Sequence, residues 1–295
     1  MSKKLLFIIN PRAGKSKSAV PLLAAADCFS RSGYRLQLCL TERSGHAAEL
    51  VRQFGADTDV VVCAGGDGTL NETISGIMSL PCRPALGYIP CGSTNDFAAS
   101  LSIPSDVLQA AQRIAQGSPQ VLDIGSHNGR CFAYVASFGA FTRSSYSAPQ
   151  SSKNALGHFA YILEGLKDLN TLRPYRCRVE TEDECFEGEF IFGGVCNSTS
   201  LAGIVKLDPN QVRMDDGELE LLLLRMPKTP SDLQNLILGM TKMNYHDYPG
   251  VIFRHVRQVS VTTGEDIPWS LDGEYAASAP RVEICSLPGA MRIML

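Results

Sequence analysis

The stretch DVVVCAGGDGTLNETISGI, residues 59–77, joins a run of apolar residues to a helical pattern through a glycine-rich turn. The apolar run predicts a buried strand, and the spacing of the residues after the turn predicts a helix. Gly65, Gly66 and Gly68 lie between the two. Glycine lets another group approach the backbone closely, and the start of a helix offers free N–H groups. The stretch therefore predicts a phosphate-binding turn.

Asp67 does not suit a phosphate site by itself, because a carboxylate repels phosphate. It becomes understandable if a divalent cation or a positioned hydroxyl group lies between the two. The alternative for an isolated Gly-Gly-Asp-Gly is a tight turn in which the aspartate only caps the helix. The turn alone leaves both interpretations open.

Three further polar or glycine-rich loops follow predicted strands in the same half: NPRAGKSKS (10–18), TERSGHA (41–47) and PCGSTNDFA (90–98). Strands and helices alternate here, which predicts a parallel sheet with helices on both faces. Ligands of such sheets collect at the carboxyl ends of the strands, and four such loops at one edge are typical of a nucleotide site. The first loop is not a Walker A motif, and the chain has no Gly-x-Gly-x-x-Gly fingerprint.

Predicted strands dominate the second half, where Gly, Asn and Asp mark several turns. CFAYVASF (131–138) is expected to be one strand, and ALGHFAYILEGLKDLN (155–170) and PSDLQNLILGM (230–240) are expected to be helices. The pattern favours a mainly antiparallel β-sandwich. We expect two domains, residues 1–124 and 125–295, and leave open whether the last strand returns to the first.

The chain of 295 residues has a formal net charge of −3 and a pI near 6.0. Nucleic-acid-binding proteins usually have a strongly basic surface, so we expect no nucleic-acid partner. The ten cysteines include no Cys-x-x-Cys pair, and Cys63 and Cys285 lie in apolar runs, which favours buried thiols. The N-terminal apolar run is too short for a signal peptide or a spanning helix, and we expect a cytoplasmic protein.

Four motifs together resemble the diacylglycerol kinase catalytic family: NPRAGK (10–15), GGDGTLNE (65–72), GSTNDFA (92–98) and LDGE (271–274). The order and length of the whole chain resemble the soluble bacterial lipid-kinase branch, which is related to sphingosine and ceramide kinases. GGDGT alone also occurs in NAD kinases, but the combination is more specific. The resemblance implies an N-terminal fold like that of NAD kinase and phosphofructokinase, and an ATP-dependent lipid kinase.

The resemblance also implies which residues contact ATP. Lys15 would contact the phosphates, and Asp67 with Asp96 would form an acidic network linked to Mg²⁺. The alternative for Asp96 is a helix cap. Ser93 stands where the family usually has threonine, and it keeps a hydroxyl group. The implied ATP-binding residues are Asn10, Gly14, Thr41, Gly65, Gly66, Asp67, Gly68, Thr69, Leu70, Asn71, Ser93 and Thr94.

RMDDGELEL (213–221) resembles the Asp-Gly turn that binds a second, structural divalent ion in bacterial members. The implied ligands are the Asp216 side chain and the backbone carbonyls of Arg213 and Glu218. Such an oxygen set suits Mg²⁺ or Ca²⁺. An ordinary Asp-Gly hairpin turn is the alternative.

Glu274 occupies the position of the family's proposed proton acceptor, on a predicted Asp-Gly hairpin. One bacterial branch has a lysine in the helix that resembles GHFAYILEGLKDL. This chain has Glu164 there, with Lys153 and Lys167 nearby, so the residue that supplies a second basic contact is left open.

The resemblance, taken with these residues, implies a kinase that transfers phosphate from MgATP to a hydroxyl of a membrane lipid, with diacylglycerol as the expected acceptor and phosphatidic acid as the product. The alternatives are a kinase of a soluble acceptor such as NAD, and a nucleotide-binding regulator without turnover. We expect transient, peripheral contact with the inner face of the membrane. A homodimer is left open.

Overall fold

The computed structural model describes residues 2–14, 19–139, 173–201 and 205–295. Two compact units divide the chain: one comprises the residues up to Ile124 together with Pro288–Leu295, and the other comprises Gly125–Leu287. The predicted helix at 155–170 lies outside the described residues.

The first unit contains a parallel sheet in the order β2-β1-β3-β4. Ile293, near the end of β17, pairs in parallel with Leu86 of β4. The strands are β1 Lys4–Ile9, β2 Arg35–Leu40, β3 Val60–Gly65 and β4 Ala85–Pro90. The helices are α1 Ala19–Arg31, α2 His46–Phe54, α3 Asp67–Met78, α4 Asp96–Ser100 and α5 Val107–Gln116.

The apolar runs of β3 and β4 are buried along their whole length, as expected for strands of a parallel sheet that is covered on both faces. Helix α5 buries Val107, Ala110, Ala111 and Ile114, which recur at helical spacing. Asp106 caps this helix by accepting a hydrogen bond of 2.9 Å from the Gln109 N–H. The core of the first unit is therefore formed between the sheet and its helices.

The second unit is mainly antiparallel, with strand order β16-β15-β7-β9-β8-β14-β17, while β12 pairs with β9 and β13, and β5 with β6. The strands are β5 Pro119–His127, β6 Arg130–Phe132, β7 Val135–Gly139, β8 Tyr175–Glu180, β9 Cys185–Cys196, β10 Ser200–Leu201, β11 Val205–Lys206, β12 Leu219–Arg225, β13 Val251–Val256, β14 Gln258–Thr263, β15 Trp269–Leu271, β16 Glu274–Ala276 and β17 Arg281–Met294. Helix α6, Pro230–Lys242, begins with a capping box of Thr229 and Asp232.

The predicted fold class, an α/β N-terminal part followed by a mainly antiparallel sandwich, is confirmed. One predicted strand is wrong in detail: CFAYVASF is two strands, β6 and β7, with a break at Ala133 and Tyr134. The break arises because the Asp272 carboxylate accepts the N–H groups of both residues, which are then not available for a strand ladder.

All ten cysteines are free thiols. Cys63 is buried as predicted, and burial raises the pKa of its thiol to about 12. Cys285 is only partly buried, because it lies where β17 pairs with Gln258 at the exposed start of β14. None of the helices in the part of the chain that the structure describes has the length and apolar character needed to cross a lipid bilayer.

Candidate active site

The loops that follow β1 to β4 emerge at one edge of the first unit's sheet, because these strands are parallel neighbours. Backbone hydrogen bonds continue the pairing just past the strand ends. The Asn10 N–H donates to the Ala64 carbonyl at 2.9 Å, and the Thr41 N–H donates to the Ile9 carbonyl at 2.9 Å. The Cys91 N–H donates to the Gly65 carbonyl at 2.8 Å. The predicted loops are therefore adjacent to one another.

The glycine-rich turn ends in helix α3, whose N-cap residue is Gly66. Asp67 is the first residue of the helix and makes no N-terminal cap, so the capping interpretation is not what the structure has. Its Oδ2 atom instead accepts a hydrogen bond of 2.9 Å from the Asn95 N–H in the loop after β4. The carboxylate therefore ties two loops of the sheet edge together.

Gly66 and Gly92 approach each other so closely that side chains would not fit. A Cβ at Gly92 would lie 2.6 Å from the Gly66 Cα, and a Cβ at Gly66 would lie 3.2 Å from the Gly92 Cα. A Cβ at Gly65 would lie 2.6 Å from the Thr69 Cβ. At Gly68, by contrast, a Cβ would meet no atom within 4 Å. The glycines thus permit close packing of the loops and leave open space beside the start of α3.

Asn95 fixes the loop after β4, and sequence reasoning assigned it no role. Its backbone is in the left-handed region, with φ of 54°, which asparagine tolerates. Its side chain accepts from the Gly92 N–H and donates to the Gly92 carbonyl, both at 2.9 Å. Asn95 is also the N-cap residue of α4, so the next residue, the buried Asp96, is not the cap. The Gly-x-x-Asn spacing of residues 92–95 is the feature of the sequence that could have indicated this role of Asn95.

Asn10 and Glu72 join the remaining loops to the turn. The Asn10 Nδ2 donates to the Thr69 Oγ1 at 2.8 Å. The Glu72 carboxylate accepts the N–H of Gly45 at 2.7 Å and the N–H of Ala47 at 3.2 Å, which holds the loop after β2. Glu72 was visible in GGDGTLNE but was assigned no role, because its partners lie more than twenty residues away.

Asp67 and Asp96 place negative charge near Tyr88 of β4. Burial is the main cause that raises the pKa of the Tyr88 phenol, and the charges of Asp67 and Asp96 raise it further. Both carboxylates are therefore close enough to Tyr88 to affect its phenol. Among the residues that the structure describes, no three acidic, histidine or cysteine side chains are grouped to hold a metal ion by themselves. This donor set fits Mg²⁺, which usually binds one or two carboxylates and takes other ligands from phosphate and water.

The positions of the other candidate residues of this unit are as follows. Gly14 lies near the Cys91 carbonyl, Leu70 and Asn71 are buried in α3, and Ser93 and Thr94 are exposed in the loop after β4. Lys15 lies outside the described residues, as do Lys153, Glu164 and Lys167.

In the second unit, Asp272 and Gly273 form the two-residue turn between β15 and β16. Their φ angles are 49° and 87°, as a hairpin of this length requires. The buried Asp272 carboxylate accepts the N–H groups of Ala133, Tyr134 and Val135 at 2.6, 3.0 and 2.9 Å. The predicted hairpin is present, and its turn is anchored to the break between β6 and β7.

Glu274 is the first residue after this turn and its side chain is 36% exposed. Its Oε2 lies 2.5 Å from the Nη2 of Arg130, and the Nη1 of the same arginine donates to the Tyr275 carbonyl at 3.2 Å. Sequence reasoning missed Arg130, because the two residues are far apart in the chain. Arg130 orients the carboxylate of Glu274.

Within the residues that the structure describes, β11 pairs with β10, and β12 pairs with β9 and β13, so the turn around Asp216 does not join two paired strands as a hairpin would. The exposed Asp216 accepts the Glu218 N–H at 3.1 Å through Oδ1, and Gly217 has φ of 82°. The Arg213 guanidinium lies 3.3 Å from Asp215, and the Glu218 carboxylate lies 3.5 Å from Arg257. A guanidinium group has no lone pair to offer a cation, so Arg213 can contribute only its backbone carbonyl, and the resemblance implies the same role for the carbonyl of Glu218.

A buried acid follows this turn. The Glu220 side chain is fully buried, and neither carboxylate oxygen has a hydrogen-bond partner. Burial is the main cause that raises its pKa to about 9, with the Asp216 charge as a further cause. Orphaned buried oxygens beside an oxygen-rich turn fit a divalent ion.

Comparison with known proteins agrees with this arrangement. The diacylglycerol kinase catalytic domain matches residues 4–127, and the YegS C-terminal NAD kinase beta sandwich-like domain matches residues 135–295. Diacylglycerol kinases of Staphylococcus saprophyticus and Staphylococcus aureus strain MRSA252 are each 33% identical over 281 residues, which cover 95% of this chain and 92% and 89% of those proteins. The chain belongs to the diacylglycerol kinase family.

Solved structures of proteins from Bacillus anthracis str. Sterne have the same fold as this member of the diacylglycerol kinase family. A diacylglycerol kinase of that organism has a TM-score of 0.75 at 21% identity, with 99% of this chain and 96% of that chain covered. Another chain from it has a TM-score of 0.84 at 24% identity, with 99% and 95% covered.

Membership in the diacylglycerol kinase family makes the protein a lipid kinase. The family uses ATP and generally a divalent metal ion. The predicted enzyme class is thereby confirmed, and a regulator without turnover is not what the family indicates. The roles of the individual site residues stay predictions.

Proposed function

We propose that this lipid kinase transfers the γ-phosphate of MgATP to the free hydroxyl of diacylglycerol and so makes phosphatidic acid. The names of the relatives support this acceptor. The observation that carries the nucleotide part is the junction of two sheet-edge loops, made by the Asp67–Asn95 hydrogen bond and by the contact of Gly66 with Gly92. A soluble acceptor such as NAD is the alternative that the assay below addresses.

The first unit binds the nucleotide in this proposal. The free N–H groups at the start of α3 and the open space beside Gly68 accommodate phosphate oxygens. Asp67 and the buried Asp96 are the side chains that would hold Mg²⁺, which neutralises charge on the transferred phosphoryl group when bound. Lys15 would add a positive charge at the phosphates. The remaining predicted contacts follow from the adjacent loops.

Glu274 acts as the proton acceptor in this proposal. An alcohol is a poor nucleophile at neutral pH, and a carboxylate within hydrogen-bond reach can orient the hydroxyl and take its proton as the bond to phosphorus forms. The anchored Asp272–Gly273 turn fixes the backbone of Glu274, and Arg130 orients its carboxylate. The hydroxyl proton therefore passes to Glu274 while the γ-phosphoryl group passes from ATP to the lipid oxygen, and ADP is the leaving group.

The acceptor also implies transient contact with the inner face of the membrane. Tyr275, next to Glu274, is 67% exposed, and tyrosine side chains suit the lipid–water interface. A second, structural Mg²⁺ or Ca²⁺ at the Asp216 turn belongs to the proposal as well. Whether the chain forms a homodimer is left open.

The assay uses ATP with a labelled γ-phosphate, Mg²⁺ and the complete chain, with diacylglycerol in mixed micelles in one arm and NAD in the other. We expect label in phosphatidic acid and none in a phosphorylated dinucleotide. Label only in the dinucleotide would contradict the lipid acceptor, and label in another lipid from a bacterial extract would replace diacylglycerol with that lipid.

The nucleotide site is tested by Gly66→Val, with Gly264→Val as the matched control. A valine side chain in place of Gly66 would push against Gly92 and fill the space between the loops, so we expect ATP binding to be lost while the far-UV circular dichroism stays unchanged. Gly264 is exposed, with no atom within 4 Å of a Cβ, so its variant should bind ATP normally. Unchanged ATP affinity in folded Gly66→Val would place the nucleotide elsewhere.

A further inference from the structure

Glu220 is a buried acid in a strand that is otherwise largely leucine. Leu219, Leu221 and Leu223 of β12 face the sandwich core, and Glu220 lies on the opposite face, since side chains alternate along a strand. It is fully buried, and both of its carboxylate oxygens lack a hydrogen-bond partner. A carboxyl group in this position costs free energy unless a charge or several hydrogen bonds compensate for it.

The segment before β12 crosses the same face. Glu220 is paired in register with His255 of β13, and such cross-strand partners lie on one face of the sheet. The His255 Nε2 donates to the Gln211 carbonyl at 2.7 Å, so the segment that leads to the Asp216 turn lies over this face. Glu220 therefore lies on the sheet face that this segment covers.

We propose that Glu220 is a second side-chain ligand of the divalent ion at the Asp216 turn, beside the Asp216 carboxylate and the carbonyl oxygens of Arg213 and Glu218. This inference rests on the structural ion site proposed above. The ligand set then has two carboxylates and two carbonyl oxygens, which suits the hard cations Mg²⁺ and Ca²⁺. An ion bound there compensates for the burial of Glu220 and links the turn to β12.

The test measures binding of Mg²⁺ and of Ca²⁺ alone, by calorimetric titration of the chelator-treated complete chain without nucleotide. Glu220→Gln and Asp216→Asn each remove a direct ligand, so each should weaken the ion's affinity by at least about 10- to 100-fold, the usual cost of losing a residue that only supports a ligand. Asp215→Asn is the matched control, because it removes the same charge from the same turn but its side chain pairs with Arg213. Asp215→Asn should bind the ion nearly as the unmodified chain does.

A second readout separates loss of a ligand from damage to the fold. In chelator, Glu220→Gln no longer buries an ionisable group, so its denaturation midpoint should equal or exceed that of the unmodified chain. Added Mg²⁺ or Ca²⁺ should raise the midpoint of the unmodified chain and leave that of the variant unchanged. If Glu220→Gln does not fold, Glu220→Leu, which matches the neighbouring Leu222, replaces it in both measurements.

Each outcome decides something. Unchanged affinity in Glu220→Gln, with affinity lost in Asp216→Asn, overturns the role of Glu220 and leaves the ion site standing. A midpoint lowered equally with and without the ion also overturns it, because Glu220 then serves packing alone. If the unmodified chain binds neither ion, the structural site and this inference both fail, while the labelled-phosphate assay still decides the lipid kinase function separately.

Discussion

The second unit contains the tripeptide Asp-Gly-Glu twice, and the two copies have opposite surroundings. Asp272 is buried, and its carboxylate accepts three backbone N–H groups from the break between β6 and β7. Asp216 is exposed, and its carboxylate accepts the N–H of Glu218 just two residues on. Gly217 and Gly273 both have positive φ, so the backbone of the glycine does not distinguish the copies.

The difference shows that the tripeptide determines only the bend of the backbone. The function of each turn depends on the distant residues that its aspartate contacts. The Asp272 carboxylate accepts backbone N–H groups, and these hydrogen bonds fix the position of the turn that precedes Glu274. Asp216 makes one local bond, and the nearby acid, Glu220, is buried without a partner. We expect the Asp272 turn to support catalysis by positioning Glu274, and the Asp216 turn to support stability by binding an ion.

The largest effect should come from Glu274→Gln, which keeps the size of the side chain and removes the base. We expect turnover to fall by roughly 10²–10⁴-fold, the usual contribution of general base catalysis, with ATP affinity unchanged. Phosphate transfer to lipid is measured with labelled ATP, and ATP affinity by titration. Glu265→Gln, in an exposed turn of the same unit, is the control and should keep turnover. Near-normal turnover in Glu274→Gln would move the proton acceptor to another residue.

The sequence predicted those parts of the fold that depend on neighbouring residues. The apolar run of β3, the glycines after it and the pattern of α3 all lie within one stretch, and they identify a strand, a turn and a helix. The Asp272–Gly273 hairpin is equally local. The alternation of such units was enough to predict the parallel sheet.

Features that depend on distant partners were not predicted. The break at Ala133 and Tyr134 is caused by Asp272, which is more than a hundred residues away. The roles of Asn95 and Arg130 in positioning the loop after β4 and Glu274 depend on contacts of the folded chain. Glu220 belonged to an alternating pattern at the start of β12, where a polar residue would be expected to be exposed. Its burial depends on the segment around Gln211, which covers this face of the sheet through a contact that the sequence does not reveal.

An intermediate effect should distinguish the two aspartates in chelator. Asp272→Ala leaves three buried N–H groups without an acceptor, and each such group costs about 1–3 kcal/mol, so we expect about 3 kcal/mol or more off the free energy of unfolding. Asp216→Ala removes one exposed hydrogen bond and should cost less than about 1 kcal/mol. Urea unfolding measures both. Equal losses would mean that the burial of Asp272 does not set its importance.

The smallest effect should be a loss of stability at low pH that arises from His127, beside the Asp272 hairpin. His127 is buried with its ring 4.9 Å from that of Trp269, the first residue of β15, and burial lowers the pKa of this histidine. The unfolded chain then binds a proton more readily than the folded chain does. Stability should therefore be full above about pH 6.5, the usual pKa of histidine, and should fall as the pH drops through the lower folded value.

Trp269 is the single tryptophan of the chain, so its fluorescence reports on the Asp272 hairpin and not on the Asp216 turn. We expect the urea midpoint followed by this fluorescence to decrease between pH 7 and pH 5, and His127→Phe, which keeps a ring against Trp269, to remove the part of the decrease that His127 causes. Carboxyl groups elsewhere act in both proteins and cancel in the comparison. An identical pH dependence in the two would show that protonation of His127 does not loosen the hairpin, and that the buried turn is held by Asp272 regardless of this histidine.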